Sequence, residues 1–227
     1  MADAPALTIR RNWPRPSEAE RAAFLGTPTG WVADAQGRRG AIDHRIRSVT
    51  KAARIVGTAL PEWSRGRDNL APYAALRFAR PGDVLMVATE NCETASVAGD
   101  ILIGMAKNAG IVGCVTDGVV RDIPGLDAVG IPVFARGVTP NSPQKDGPGT
   151  IGLAITLGGV IVEPGDLIVA DGDGVVVVPR ATVAAVGAEL AAIRRKEAEM
   201  DATVQAGAKE PGWLAERLAR ADVRFVD

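Results

Sequence analysis

Between Gly158 and Pro179 the chain reads GGVIVEPGDLIVADGDGVVVVP, a stretch in which short apolar runs alternate with Pro-Gly-Asp and Asp-Gly turns. Runs this short and this rich in Val and Ile are strand formers, and they are too brief for helices. Proline presets the first turn position, glycine takes a conformation other residues avoid, and aspartate bonds the backbone that follows. The stretch therefore predicts two or three strands, with DGDG (171–174) as a hairpin turn. Pro-Gly-Asp before an apolar run also occurs at 81–87, PGDVLMV, so the chain uses one turn-into-strand device twice.

The remaining segments alternate in type. Ser17 and Glu20 in SEAERAAFL have capping-box spacing and start a short helix after a loose Pro-rich opening. GWVADAQGRRG reads as a second helix closed by Gly37 or Gly40. AARIVGTAL (52–60), GDVLMVAT (82–89), IVGCVTDG and IPVFARG read as strands. DNLAPYAALRFA and GDILIGMAKNAG (99–110) read as helices, and a long helix is expected from Ala181 to about Ala206. The fold class that follows is α/β with a mixed sheet. We divide the chain into an N-terminal arm with a short helix (1–26), an α/β core (27–180), and a C-terminal helix and tail (181–227).

Scarce residues narrow the chemistry. One histidine, His44, and two cysteines, Cys92 and Cys114, cannot supply the three or four N/S ligands of a zinc site. No serine elbow lies near His44 for a Ser-His-Asp mechanism. A metal here would be held by carboxylates and water, which suits Mg²⁺ or Mn²⁺. The net charge of −1 and the lack of a basic, aromatic-laced stripe argue against nucleic acid as a partner. The longest apolar runs are too short to span a membrane, and the first residues lack the apolar core of a secretory signal, so a cytoplasmic location is expected.

Several motifs compete with plain structural readings. GPGTIG (147–152) matches the dinucleotide fingerprint by letter, but that fingerprint must follow a strand and open a helix. A charged loop precedes it and strand formers follow, so a Gly-rich loop is the better reading. DGDG lacks the later ligands of a calcium loop. Asp100 follows Gly99 at a helix start whose free N–H groups could bind an anion; on these residues alone, it reads as a cap on its own helix. In TDGVVRDIPG (116–125), Arg121 and Asp122 are neighbours at a strand end. Strand neighbours point to opposite faces, so the pair is either a solvated loop or a place where the chain bends. The apolar flanks and Pro124-Gly125 favour a bend.

GDILIGMAKNAGIVGCVTDGVVRDIPGLDAVGIPVFARGVTPNSPQK, followed by GGVIVEPGDLIVADGDGVVVVP, closely resembles one family over roughly residues 27–206. That family comprises the 4-hydroxy-4-methyl-2-oxoglutarate aldolases and the related regulators of ribonuclease E activity. The resemblance implies a swivelling β/β/α domain with a long C-terminal helix, assembled as a homotrimer or a dimer of trimers with sites between subunits. It implies that the amides of Gly99, Asp100, Ile101 and Leu102 bind a small 2-oxo acid and that Arg121 contacts its pyruvyl group. It further implies that Asp122 ligates the divalent metal and that Asp100 holds it through water. Asp34 and Glu197 fit the places of acidic groups supplied by an adjacent subunit, although Asp34 stands where the resemblance calls for glutamate.

The activity implied is a class II pyruvate aldolase acting on 4-hydroxy-4-methyl-2-oxoglutarate or 4-carboxy-4-hydroxy-2-oxoadipate, with oxaloacetate decarboxylation as a side activity. The alternatives are a metal-dependent lyase or hydrolase on another substrate, and a non-catalytic regulator of an RNA-processing enzyme. The long acidic C-terminal helix favours the enzyme. In that helix Val183, Val186, Leu190, Ile193, Met200 and Val204 recur at spacings of three and four, interrupted by Glu197. Such a stripe predicts a seam against a partner surface.

Overall fold

The computed structural model describes residues 5–227. Strand β1 (Leu7–Ile9) precedes two short helices, α1 (Glu18–Ala22) and α2 (Thr29–Ala35), and strand β2 (Arg47–Ser48). Strand β3 (Ile55–Ser64) leads through helix α3 (Leu70–Ala75) to β4 (Asp83–Ala88). Then follow β5 (Ser96–Ala98), α4 (Asp100–Asn108), β6 (Gly113–Thr116) and β7 (Val119–Val120). Helix α5 (Ile123–Val129) leads to β8 (Val133–Ala135) and β9 (Gly137–Val138). Strand β10 (Gly149–Ile151) precedes two hairpins, β11 (Ile155–Leu157) with β12 (Val160–Val162), and β13 (Leu167–Asp171) with β14 (Gly174–Val178). The long helix α6 (Val183–Gln205) and a short α7 (Leu214–Leu218) close the chain.

Among the described residues the main sheet has nine strands in the order β1-β10-β3-β4-β6-β8-β2, with β13 joined to β3 and β14 to β13. Its centre, β3-β4-β6-β8, is parallel, while β10 and β13 run antiparallel to β3. A separate parallel sheet, β5-β7-β9, carries the residues discussed below.

Strand β3 runs four residues past the expected end at Leu60, through Pro61. Pro61 lies where β3 changes antiparallel partner, from β13 (paired up to Thr58) to β10 (paired from Glu62). Proline lacks the N–H that a continuous ladder would need, and the gap between two partners asks for none. The N-terminal arm is not loose either. β1 pairs in parallel with β10, Trp13 is buried in the core, and Arg15 forks onto the buried Asp83 carboxylate at 2.9 and 2.8 Å. GPGTIG is neither a helix opener nor a loop throughout, because Gly149–Ile151 is β10.

Other local expectations hold. The Ser17–Glu20 capping box forms, and Gly37, with φ of 66°, follows the end of α2. Both Pro-Gly-Asp turns work alike: Asp83 accepts the Arg80 N–H and Asp166 the Glu163 N–H, each at 2.9 Å, three residues back. DGDG is the turn between β13 and β14.

Side-chain alternation divides the sheet into two buried faces. Leu60, Leu85, Val87 and Cys114 pack with residues of α3, α4 and α5. Ala59, Val84, Met86 and Val115 pack with the β11–β12 hairpin. A third core joins α2 and α6 to β13 and β14 through Val32, Val169, Val176, Val183, Val186 and Leu190. This is the expected α/β architecture with layered β and α elements and a long C-terminal helix. The α6 stripe is buried only in its first half; Ile193 and Glu197 are half-buried, and Met200 and Val204 are exposed on this chain. No helix among the described residues is long and apolar enough to cross a membrane.

Candidate active site

Strand β7 ends at Val120, and the next residue continues the ladder only through its backbone, Arg121 N–H donating to Ala98 O at 3.0 Å. Asp122 then adopts φ 62°, ψ 43°, the left-handed region that a non-glycine residue rarely takes. That single rotation breaks the strand alternation. The Arg121 and Asp122 side chains come to the same side, with Nε donating to Oδ2 at 3.1 Å. Asp122 is also the N-cap residue of α5, yet its carboxylate caps nothing; its backbone oxygen accepts the Leu126 N–H instead. Oδ1 thus stays free of hydrogen bonds among the described residues.

Facing the pair is the start of α4. Gly99 is the N-cap residue, extended at φ −145°, and no side chain caps the helix. Asp100 is the first helical residue and does not cap its own helix, contrary to the simplest expectation from sequence. The first-turn N–H groups of Asp100, Ile101 and Leu102 therefore have no intrahelical acceptor and point outward with the positive end of the helix dipole. Two glycines let the elements close in. A Cβ on Gly99 would come within 2.5 Å of Asp122 Oδ2, and one on Gly125 would collide with the Asp100 carboxylate. Both aspartates thus border the same small space.

The resulting cavity is narrow, about 80 Å³, and mostly polar. It gathers Gly99, Asp100, Ile101, Leu102, Arg121 and Asp122, as expected, and adds Asn69, Tyr73, Ser96, Ser142 and Lys145. Arg121 is steadied from its other end, Nη1 donating to Ser142 Oγ at 2.5 Å. Asn69 is 5% exposed; its Nδ2 donates to Val97 O at 3.2 Å and its Oδ1 has no partner among the described residues. Neither Asn69 nor Lys145 was singled out by sequence. Asn69 precedes a helix, where an Asn is naturally read as a cap, and Lys145 sits in a charged loop.

Asp34 and Glu197 are elsewhere. They meet at a shallow depression of about 490 Å³ between α2 and α6, with Arg38, Glu189, Ile193 and Lys196. This depression shares no lining residue with the Arg121 cavity, and a larger groove of about 900 Å³ adjoins it at Asp34 and Glu189. The chain thus brings the pyruvyl-binding candidates together and, separately, the two outlying acids.

The donor set suits a hard cation. Asp122 offers a carboxylate oxygen with no other duty, and Asp100 stands across the same cavity. No group of three or more His, Cys, Asp or Glu gathers among the described residues. Such a site fits Mg²⁺ or Mn²⁺, which bind through one or two carboxylates and complete their shell with water and substrate oxygens.

Fold and cavity define the class: a layered α/β protein whose candidate site lies where a helix N-terminus meets a bent strand end. The chain belongs to the RraA-like family, whose profile, described as Aldolase/RraA, matches residues 28–177. Over 157 residues it is 37% identical to a Halalkalibacterium halodurans protein named "Putative 4-hydroxy-4-methyl-2-oxoglutarate aldolase", covering 69% of this chain and 75% of that protein. The structure of an uncharacterized protein from Pseudomonas syringae pv. tomato is similar, with a TM-score of 0.76 at 25% identity over 87% of this chain and 97% of the other. Streptomyces coelicolor RraAS2, described as an unusual member of the RNase ES inhibitor RraA protein family, gives 0.72 at 26% identity over 84% and 100%.

Proposed function

We propose that the chain is a divalent-metal-dependent pyruvate aldolase that cleaves 4-hydroxy-4-methyl-2-oxoglutarate or 4-carboxy-4-hydroxy-2-oxoadipate, with oxaloacetate decarboxylation as a side activity. One observation carries the reading: the left-handed Asp122 turns Arg121 and a free carboxylate together onto the uncapped start of α4. The name of the Halalkalibacterium halodurans relative supports the same chemistry.

The α4 amides and Arg121 would bind the carboxylate and keto oxygens of the pyruvyl group. Mg²⁺ or Mn²⁺, held by Asp122 and through water by Asp100, would supply Lewis-acid polarisation of those oxygens. Cleavage breaks the C3–C4 bond. Its electron pair passes into the enolate of pyruvate, and the C4 hydroxyl gives up its proton and becomes a carbonyl. The enolate then takes a proton at C3. Arg121, fixed between Asp122 and Ser142, faces the oxygen on which negative charge grows and needs no reorganisation to stabilise it. No Schiff-base lysine is required.

The C4 hydroxyl also needs a proton acceptor. We assign that role to a water held by Glu197 and Asp34 of a neighbouring copy in a homotrimer or dimer of trimers, which would bring the α2–α6 depression against the Arg121 cavity. The likeness to RraAS2 supports a rival reading, a non-catalytic regulator of an RNA-processing enzyme. Pyruvate release from 4-hydroxy-4-methyl-2-oxoglutarate and from oxaloacetate separates the two. Release that EDTA abolishes and Mg²⁺ or Mn²⁺ restores is expected; full activity after exhaustive chelation, or none under any condition, overturns the proposal.

A further inference from the structure

We propose that Lys145 is the specificity-determining residue that reads a second carboxylate on the 2-oxo acid, and that the buried Asp68 is the positioning residue that keeps it in place. This rests on the proposed function and deepens it.

The cavity has more polar capacity than a pyruvyl group uses. Once Arg121 and the α4 amides are engaged, Lys145 remains. Its ammonium makes no ion pair among the described residues and lies 6.0 Å from the centroid of the Tyr73 ring, on the wall of the same cavity. The buried Asn69 Oδ1, unpartnered among the described residues, is an acceptor on that wall and suits a hydrogen-bond donor beside the carboxylate, such as the substrate's C4 hydroxyl. A compact ammonium on a flexible stem suits a solvent-side carboxylate, whereas the planar fork of Arg121 suits the fixed keto end. The two cations then divide a molecule charged at both ends.

The loop bearing Lys145 is held by a device that a casual surface loop does not need. Asp68 is 2% exposed, yet no cation pairs with it among the described residues. Its Oδ1 accepts the Leu70 N–H at 2.9 Å, and its Oδ2 accepts those of Asp146 and Gly147 at 2.6 and 3.0 Å. Two backbone bonds add to it, Asn69 N–H to Gln144 O at 3.0 Å and Gln144 N–H to Arg67 O at 2.8 Å. At the loop's other end Asn141 O accepts from both the backbone and the hydroxyl of Ser96. A buried charge is expensive unless its hydrogen bonds are met. Here three amides meet them, and the stretch they pin supplies both Ser142 to Arg121 and Lys145 to the cavity wall.

The test compares kcat/KM for the two-carboxylate substrate 4-hydroxy-4-methyl-2-oxoglutarate with that for 4-hydroxy-2-oxopentanoate, which lacks the second carboxylate. Exchange of pyruvate methyl protons in D₂O is followed in parallel, because it needs the enolate but no second carboxylate. Lys145→Ala should lower the two-carboxylate preference roughly 10- to 100-fold, the scale of one hydrogen bond to a charged group, and Lys145→Arg should restore some of it. Asp68→Asn should lower the same preference, and the double variant should be no worse than Lys145→Ala alone. Should Asp68→Asn not fold, Asp146→Pro, which removes one N–H donor and leaves the carboxylate, should show the same loss of preference. A preference indifferent to Lys145→Ala, in protein that cleaves and exchanges, overturns this proposal alone. Wild-type protein that neither cleaves nor exchanges overturns the proposed function and this inference with it.

Discussion

Two regions of this chain collect acidic side chains, and they are built on opposite principles. At the Arg121 cavity, Asp100 and Asp122 are fixed by a helix start, a left-handed turn and two glycines that leave no room for a Cβ. At the α2–α6 depression, Asp34 and Glu197 stand on helix surfaces with long neighbours and a wide opening. The first region defines a geometry by itself. The second offers acids on a broad, open depression with no turn or helix start closing over it, and its helix carries the exposed Met200 and Val204. Under the proposed function this contrast is a division of labour: one surface would bind, and the other would become chemistry only against a neighbour.

The largest effect should come from the rigid side. Arg121→Ala should lower turnover roughly a hundredfold or more, the usual cost of removing one oxyanion donor, and Arg121→Lys should recover only a fraction of it. Initial rates of pyruvate release measure this. Near-normal rates in Arg121→Ala would reduce the cavity to a solvated loop and erase the contrast.

Gly125→Ala tests whether crowding, and not only charge, sets the cavity. The added methyl would collide with the Asp100 carboxylate, so Asp100 must move. Overpacking of this kind costs about 1–3 kcal/mol in stability. We expect a lower melting temperature together with a raised metal requirement in the aldolase assay. By contrast, alanine at Asp34, which is exposed, should leave the melting temperature nearly unchanged.

How legible these features were in sequence follows the same division. Arg121-Asp122 could be singled out because Pro124-Gly125 forces a bend, and Pro-Gly-Asp announces its strands by local turn chemistry. Strand β1 could not be foreseen, because three residues owe their strand state to pairing with β10 alone. Pro61 hid the second half of β3, since only the change of partner makes a proline harmless there. Asn69 and Lys145 reach the cavity through the Asp68 cradle, a contact spanning 78 residues that no local pattern encodes. The first half of the α6 stripe found its core, while Met200 and Val204 at its far end stay exposed.

A separate effect, on stability and not on turnover, concerns a carboxylate belonging to neither region. Glu62 on β3 is fully buried, neither oxygen has a partner among the described residues, and burial pushes its pKa well above the usual carboxylate range. The folded state therefore binds this proton more tightly than the unfolded chain does. Its contribution is most favourable below the unfolded pKa, near 4.3, and is lost as pH rises toward the folded value, by up to about 1.4 kcal/mol per pH unit. Burial raises Asp117 and Asp166 in the same direction. Glu62→Gln should be more stable than wild type at pH 7 and should show a shallower decline between pH 5 and 7 in urea titrations. An unchanged pH slope would mean that the folded protein binds the Glu62 proton no more tightly than the unfolded chain does.

The central claim is that the two regions meet across a subunit boundary, and complementation tests it directly. Arg121→Ala damages the cavity and Glu197→Ala the depression, so each homo-oligomer should be inactive. If the two are unfolded and refolded together, some interfaces in the mixed oligomers carry neither lesion, and aldolase activity should reappear. Mixed oligomers that form, as a size tag on one variant would show, and yet stay inactive would contradict the claim that Glu197 serves a neighbour's cavity.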